Sequence, residues 1–330
     1  MAGRLTGSLL LVAAVTVGCS DNPPEEQVWP LTGLPGYVVE AQTQVVTVKI
    51  DNTEAGRPQA GLADADLIVQ EMVEGGVTRL AAMYHSQLPT SASPVRSLRE
   101  TDVGLVLPTG GTLAASGGAE DTLSTVTSAG VPIAVEGDPG FARDSGRSAP
   151  YNLMLDVTAL AETLQHSPPA APYLPFGAVP DEAGKPAHTA DVTWPADEVR
   201  FELDSTSGLW QRADLPGATG LDFTNVVALT LPVTYAGKDA AGTAIPTMHT
   251  EGQGAGVILT GGSAYNVTWS KATPSSPWTF ASRADAGSAE DAQVEDFSLP
   301  PGRTWLALLP EDGGAVSFSG APAADGSLQH

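Results

Sequence analysis

Short β-branched runs separated by glycine pairs dominate the first half of the chain. Residues 45–50 read as a strand ended by Asp51 and Asn52. Residues 67–73 and 77–84 form two further apolar runs, and the Gly75-Gly76 pair between them predicts a tight turn. Residues 96–107 carry a helical pattern that Pro108 and Gly110-Gly111 stop. A short strand over 112–116, a Gly117-Gly118 break, a helix over 119–128 and a strand over 131–135 follow. Glu120 and Asp121 suit the first turn of that helix, where negative charge complements the helix dipole. This strand–helix–strand unit predicts an α/β first domain. Residues 153–164 read as one more helix, with Asp156 or Thr158 as its start.

The pattern changes after residues 166–180, which hold five prolines. Beyond them, residues 199–203, 226–235, 256–260, 265–269 and 304–309 are short aromatic or β-branched runs spaced by Gly and Pro, as in an all-β module. Residues 281–292 and 321–330 are low in large apolar residues and read as a mobile loop and a frayed end. The expected fold is α+β, an N-terminal α/β domain over 41–165 followed by a β-rich C-terminal domain over 181–312. A Pro-rich linker over 166–180 joins them, and a flexible tail covers 313–330.

The first forty residues follow a different logic. Arg4 precedes an apolar run over 5–17 that is too short for a bilayer but suits a signal-peptide core, and Gly18 precedes Cys19, the chain's one cysteine. The expectation is a lipoprotein signal peptide over 1–18, lipidation of Cys19 and a tether over 19–40. This places the protein on the extracytoplasmic face of a bacterial membrane. Thr16 is weaker than the usual Leu or Val at its position, and a plain secretory signal or an uncleaved anchor are the other readings. Two acyl chains, at about 0.8 kcal/mol per buried methylene, hold a protein durably where one does not.

A single cysteine excludes disulfides within the mature chain and cysteine-bound metal centres. A formal charge of −23 with four lysines opposes nucleic acid and anionic headgroups. Such acidity serves solubility first, and also attracts cations.

Against that background, Arg57, Arg79, Arg96 and Arg99 fall close together, with Glu71, Glu74, Glu100 and Asp102 nearby. A guanidinium fork pairs with carboxylate or phosphate, so the cluster is either a pocket for an anion or a set of internal ion pairs. Gly117-Gly118 before a helix lets backbone amides approach an anion, but no Walker lysine and no GxGxxG accompany it. Gly252, Gly254 and Gly256 read as a hairpin or bulge. There is no GxSxG, no Ser-x-x-Lys and no HExxH, and the histidines are dispersed. No metal or cofactor is expected, and the faint calcium-loop pattern over 51–56 fails where Ala55 and Leu62 replace oxygen ligands. Trp269 and Trp305 fall within predicted strands, whereas Trp278, between Pro277 and Thr279, is the tryptophan expected at the surface.

The motifs combine into a resemblance. Pro30-Leu31-Thr32-Gly33, the runs RPQAGL at 57–62, VEGGVTR at 73–79 and PVRSLR at 94–99, then FTNVV at 223–227, VTWSK at 267–271 and PGRTW at 301–305 occur in order. Together with Ala65-Asp66 and Gly254-Ala255-Gly256, they resemble the YerB-like lipoproteins, a family without a defined function. The family pattern places a histidine before the double glycine, a serine after it, and a histidine in the 149–153 segment. Here Ala115, Ala119 and Tyr151 stand at those places. The resemblance implies that the retained arginines are the better shared site.

The reading that follows is a non-catalytic, membrane-anchored binding or assembly protein of the cell envelope. Its anion-accepting cleft is lined by Arg57, Arg79, Arg96 and Arg99, oriented by Glu71 and Glu74, with Ser116 and Tyr151 in the pocket. Its partners are the membrane, through lipid, and an anionic envelope ligand or an envelope protein, with no nucleic acid. The rival reading is a carboxylate-dependent envelope hydrolase or transferase using Ser116 or Tyr151, and a third is a structural spacer.

Overall fold

A computed structural model describes residues 27–36, 44–165, 171–180, 184–215, 220–239, 242–283 and 295–321. The expected signal segment and Cys19 lie outside the described residues. The first segment contains β1 (Val46–Asp51), β2 (Leu67–Met72), β3 (Thr78–Tyr84), α1 (Asp102–Val106), β4 (Thr112–Ala115), α2 (Glu120–Ser128) and β5 (Ile133–Val135). β6 (Phe141–Arg143), β7 (Leu153–Leu155) and α3 (Val157–Ala161) complete it. The second segment supplies β8 (Lys185–Pro186), β9 (Thr189–Trp194), β10 (Asp197–Asp204), β11 (Leu209–Arg212), β12 (Asp222–Phe223) and β13 (Asn225–Leu231). β14 (Val233–Lys238), β15 (Ala244–Met248), β16 (Gly252–Thr260), β17 (Ser263–Lys271) and β18 (Thr279–Ser282) follow. The last strands are β19 (Asp296–Phe297), β20 (Thr304–Pro310) and β21 (Ala315–Ser319).

A 12-stranded sheet runs β19-β18-β17-β16-β13-β20-β2-β3-β1-β4-β5, with β8 beside β17. It passes without interruption from one segment to the other, because β20 pairs in parallel with both β2 and β13. β1, β2 and β20 are buried at every position. Strands covered on both faces tend to read as continuous apolar runs, as β20 does, whereas β1 and β2 bury polar residues, among them Lys49, Asp51, Gln70 and Glu71. A second sheet, β12-β11-β10-β9-β21, covers the face carrying Trp305. Phe201 and Phe223 meet the Trp305 ring edge-on at 5.7 and 5.3 Å, and the Trp194 indole donates to the Leu308 carbonyl at 2.7 Å. On the opposite face Leu98, Val106, Leu113, Ala115, Val126 and Val131 form a smaller apolar cluster under α1 and α2.

Several expectations need correction. The fold is β-dominated, with α-helix limited to three short segments among the described residues, so the α/β character of the first segment reduces to the β4–α2–β5 unit beside the parallel β1. The helix expected over 96–107 starts only at Asp102, because residues 94–98 are drawn into the sheet: Arg96 N–H donates to the Lys49 carbonyl and Ser116 N–H to the Arg96 carbonyl, both at 2.9 Å. The helix expected over 153–164 is instead β7 followed by α3, which Asp156 caps by accepting from the Ala159 N–H at 2.9 Å. Pro232 splits the run over 226–235 into β13 and β14, since proline lacks the donor a central strand needs. Part of the expected tail is β21, paired antiparallel with β9 through the alternating Val316 and Phe318. The later part of the expected tether packs onto the core through the buried Leu31. Tyr173 and Leu174 of the Pro-rich stretch are buried too. Trp278 is 1% exposed rather than a surface residue, its ring held edge-on against Trp269 at 5.3 Å.

Candidate functional site

Strand register builds the site. Side chains directly opposite one another share a sheet face. Asp51 opposes Arg79, which opposes Glu71, so β1, β3 and β2 place these three in a row on one face. Lys49 lies two positions from Asp51 on that same face. The 94–98 segment is wedged between the C-terminal ends of β1 and β4 and brings in Arg96 and Ser97. Asp51 N–H donates to the Pro94 carbonyl at 3.0 Å, and Leu98 N–H to the Gly117 carbonyl at 3.0 Å. The position is the one where open α/β sheets place ligands, outside the C-terminal ends of parallel strands.

The lower layer is closed to solvent. Lys49 Nζ donates to Glu71 and, at 2.8 Å, to Asp102 Oδ1, with all three side chains fully buried. Asp102 also accepts from the Arg99 N–H at 2.7 Å, which fixes the start of α1. Burial, followed by the neighbouring Asp102 carboxylate, pushes Glu71 up to about 7 against the pull of Lys49. Arg99 donates to Glu74 at 2.6 Å and to its neighbour's carbonyl, Leu98 O, at 2.6 Å.

The upper layer is half-buried. Arg96 pairs with Asp51 at 2.9 Å, donates to the Pro150 carbonyl at 3.2 Å and lies over the Tyr151 ring at 5.5 Å. Ser116 Oγ lies 3.4 Å from Ser97 Oγ. Arg79 donates to the Ser97 carbonyl at 2.9 Å and, among the described residues, has no carboxylate within ion-pair distance. Burial and then the Arg99 guanidinium hold Arg79 down to about 10. A guanidinium has five donors, so Arg79 retains capacity for an oxyanion.

The structure therefore gathers Glu71, Glu74, Arg79, Arg96, Arg99, Ser116 and Tyr151, and separates Arg57. Arg57 lies beyond the 52–56 turn, 3.6 Å from Asp214. Arg99 is matched by Glu74 and Arg96 by Asp51, whereas Arg79 has no ion-pair partner among the described residues. Lys49, Asp51 and Ser97 were missed. A lysine inside the β-branched run 45–50 was the available signal, since a charge in a fully buried strand requires a partner. Ala115 is buried in the small apolar cluster, and Ala119 is the uncapped residue before α2. Neither carries a functional group to this site. Glu71 is sealed beneath Lys49, and Glu74 is held by Arg99, so the two do not flank an open space as acid–base carboxylates must.

Residues 31–170 match the family described as "Protein of unknown function (DUF3048) N-terminal domain", and residues 190–306 match its C-terminal domain. "Putative lipoprotein YerB" of Bacillus subtilis (strain 168) is 41% identical over 76 residues, which is 23% of this chain and 23% of that protein. The crystal structure of YerB protein from Bacillus subtilis covers 88% of this chain and is itself covered in full, with a TM-score of 0.70 at 20% identity. At that identity the likeness is one of fold. Two family segments in the same order, a related lipoprotein and a shared fold agree, and the chain belongs to the YerB-like family.

Proposed function

We propose that this protein is a binding protein of the bacterial cell envelope, fastened to the membrane through lipid on Cys19, and that Arg79 and Arg96 receive an anionic group of an envelope ligand. The observation that carries the reading is Arg79. Its guanidinium is half-buried between two others and finds one backbone acceptor but, among the described residues, no carboxylate within ion-pair distance, in a chain of net charge −23. An internal ion-pair network built for stability has acids in excess and would be expected to match it. Ser97, Ser116 and Tyr151 add hydroxyl groups around the same opening. The relative's name supports the lipid anchor, as does the apolar run before Cys19.

The test is Arg96→Ala, which removes a half-exposed side chain and leaves Arg79 in place. Retention of purified protein on isolated envelope material is measured against wild type, with circular dichroism to confirm folding. We expect a folded variant with retention reduced about tenfold or more, equivalent to ~1.4 kcal/mol. Unchanged retention by a folded variant counts against the site.

A further inference from the structure

On the sheet face opposite Arg79, a cleft of about 310 Å³ opens between the two family segments. The buried Asn52 and Thr78 form its floor, and Thr53, Arg57, Asp197 and Glu198 line its sides. The floor is rigid. Asp197 Oδ2 accepts from Asn52 Nδ2 at 3.1 Å and from the Thr78 hydroxyl, which also accepts from Gln70 Nε2 at 2.9 Å.

Arg57 is the mismatched member. Its Nη2 reaches the Asn52 carbonyl only at 3.4 Å and Asp214 only at 3.6 Å, and its Nε is buried without an acceptor. Asp214 is already held by Arg212, whose Nε and Nη2 each donate to it at 2.9 Å. Arg57 thus lines the cleft with donors to spare, and a carboxylate is a group that a guanidinium fork pairs with. Glu54 and Glu198, also at the cleft, are exposed and have no cation within 4.0 Å among the described residues. Acids alone would not mark a site; a guanidinium held only by one long ion pair and one long hydrogen bond, beside two carboxylates with no cation among the described residues, points to a ligand bearing both charges.

We propose that this cleft binds a small zwitterion, a free amino acid or a short peptide, with its carboxylate on Arg57 and its ammonium facing Glu198 and Glu54. The volume lies at the lower end of the range for small-molecule pockets, about 300–1,000 Å³, which suits one or two residues rather than a polymer. The inference is independent of the Arg79–Arg96 site, which it meets only at Asp51, whose carboxylate pairs with Arg96 and accepts from the Thr53 N–H at 2.7 Å.

Titration calorimetry on the full chain tests it, with alanine, alanyl-alanine, N-acetyl-alanyl-alanine and alanyl-alanine amide as probes. Binding of alanine or alanyl-alanine is expected, with acetylation and amidation each weakening the dipeptide at least tenfold. Arg57→Ala should erase the preference for the free carboxylate, and the exposed Glu198→Gln should reduce the preference for the free ammonium. Should Arg57→Ala fail to fold, Glu198→Gln and the blocked dipeptides decide. Absence of heat from every zwitterion, equal affinity for the blocked forms, or a folded Arg57→Ala that still prefers the free carboxylate would overturn the proposal.

Discussion

Replacing Lys49 by methionine removes the cation from between Glu71 and Asp102 while keeping most of the side-chain volume. All three groups have no exposed side-chain surface, so no water enters to compensate. Removing one partner of a buried ion pair typically costs about 3–5 kcal/mol, and here two carboxylates lose the same partner. The cost must also depend on pH. Glu71 is raised from 4.5 to about 7 in the folded protein, a difference worth about 3 kcal/mol. The folded state therefore binds more protons than the unfolded chain in this window. That contribution favours folding below 4.5 and is lost as pH rises through about 7. Without Lys49 the folded pKa rises further, so the variant's stability falls more steeply with pH than that of wild type. Urea unfolding followed by tryptophan fluorescence at pH 5 and pH 8 measures both. We expect a deficit near 3–5 kcal/mol at pH 8 that shrinks clearly at pH 5. A deficit below about 1 kcal/mol, or one identical at the two pH values, would refute the reasoning, because lost packing of the lysine stem does not titrate.

Trp278→Ala should cost about 3–5 kcal/mol in the same assay, since it empties a buried site against Trp269 and removes an edge-to-face contact; a surface residue would cost almost nothing. Asp156→Ala removes the cap on α3 and should lower stability by about 1 kcal/mol, with Asp156→Asn recovering most of the loss.

How much of this was legible in the sequence depended on where each segment's hydrogen bonds go. The strand–helix–strand unit around α2 was readable because glycines bound it and its polar face is solvated. Residues 94–98 were not, because their apolar spacing fits a helix equally well and only the gap between β1 and β4 makes them extended. Trp278 misled for a related reason: flanking Pro277 and Thr279 indicate a turn, but Trp269 two strand positions away in space supplies the cover. Sequence proximity brought Arg57 into the arginine cluster, yet one turn at residues 54–56 carries it to the other side of the sheet. Lys49 and Asp197 were invisible as site residues, since their partners lie 22 to 145 positions away.

The pairing of β2 with β20 has a consequence for how the molecule is made. Ile68 meets Trp305 across that boundary, so the strand completing the first segment's sheet is made more than 200 residues after β2. Until it arrives, β2 presents an open apolar border, the kind of template on which chains stick to one another. Contacts so remote along the chain also slow productive assembly. A polypeptide with this topology gains from being kept unfolded until both segments have been made.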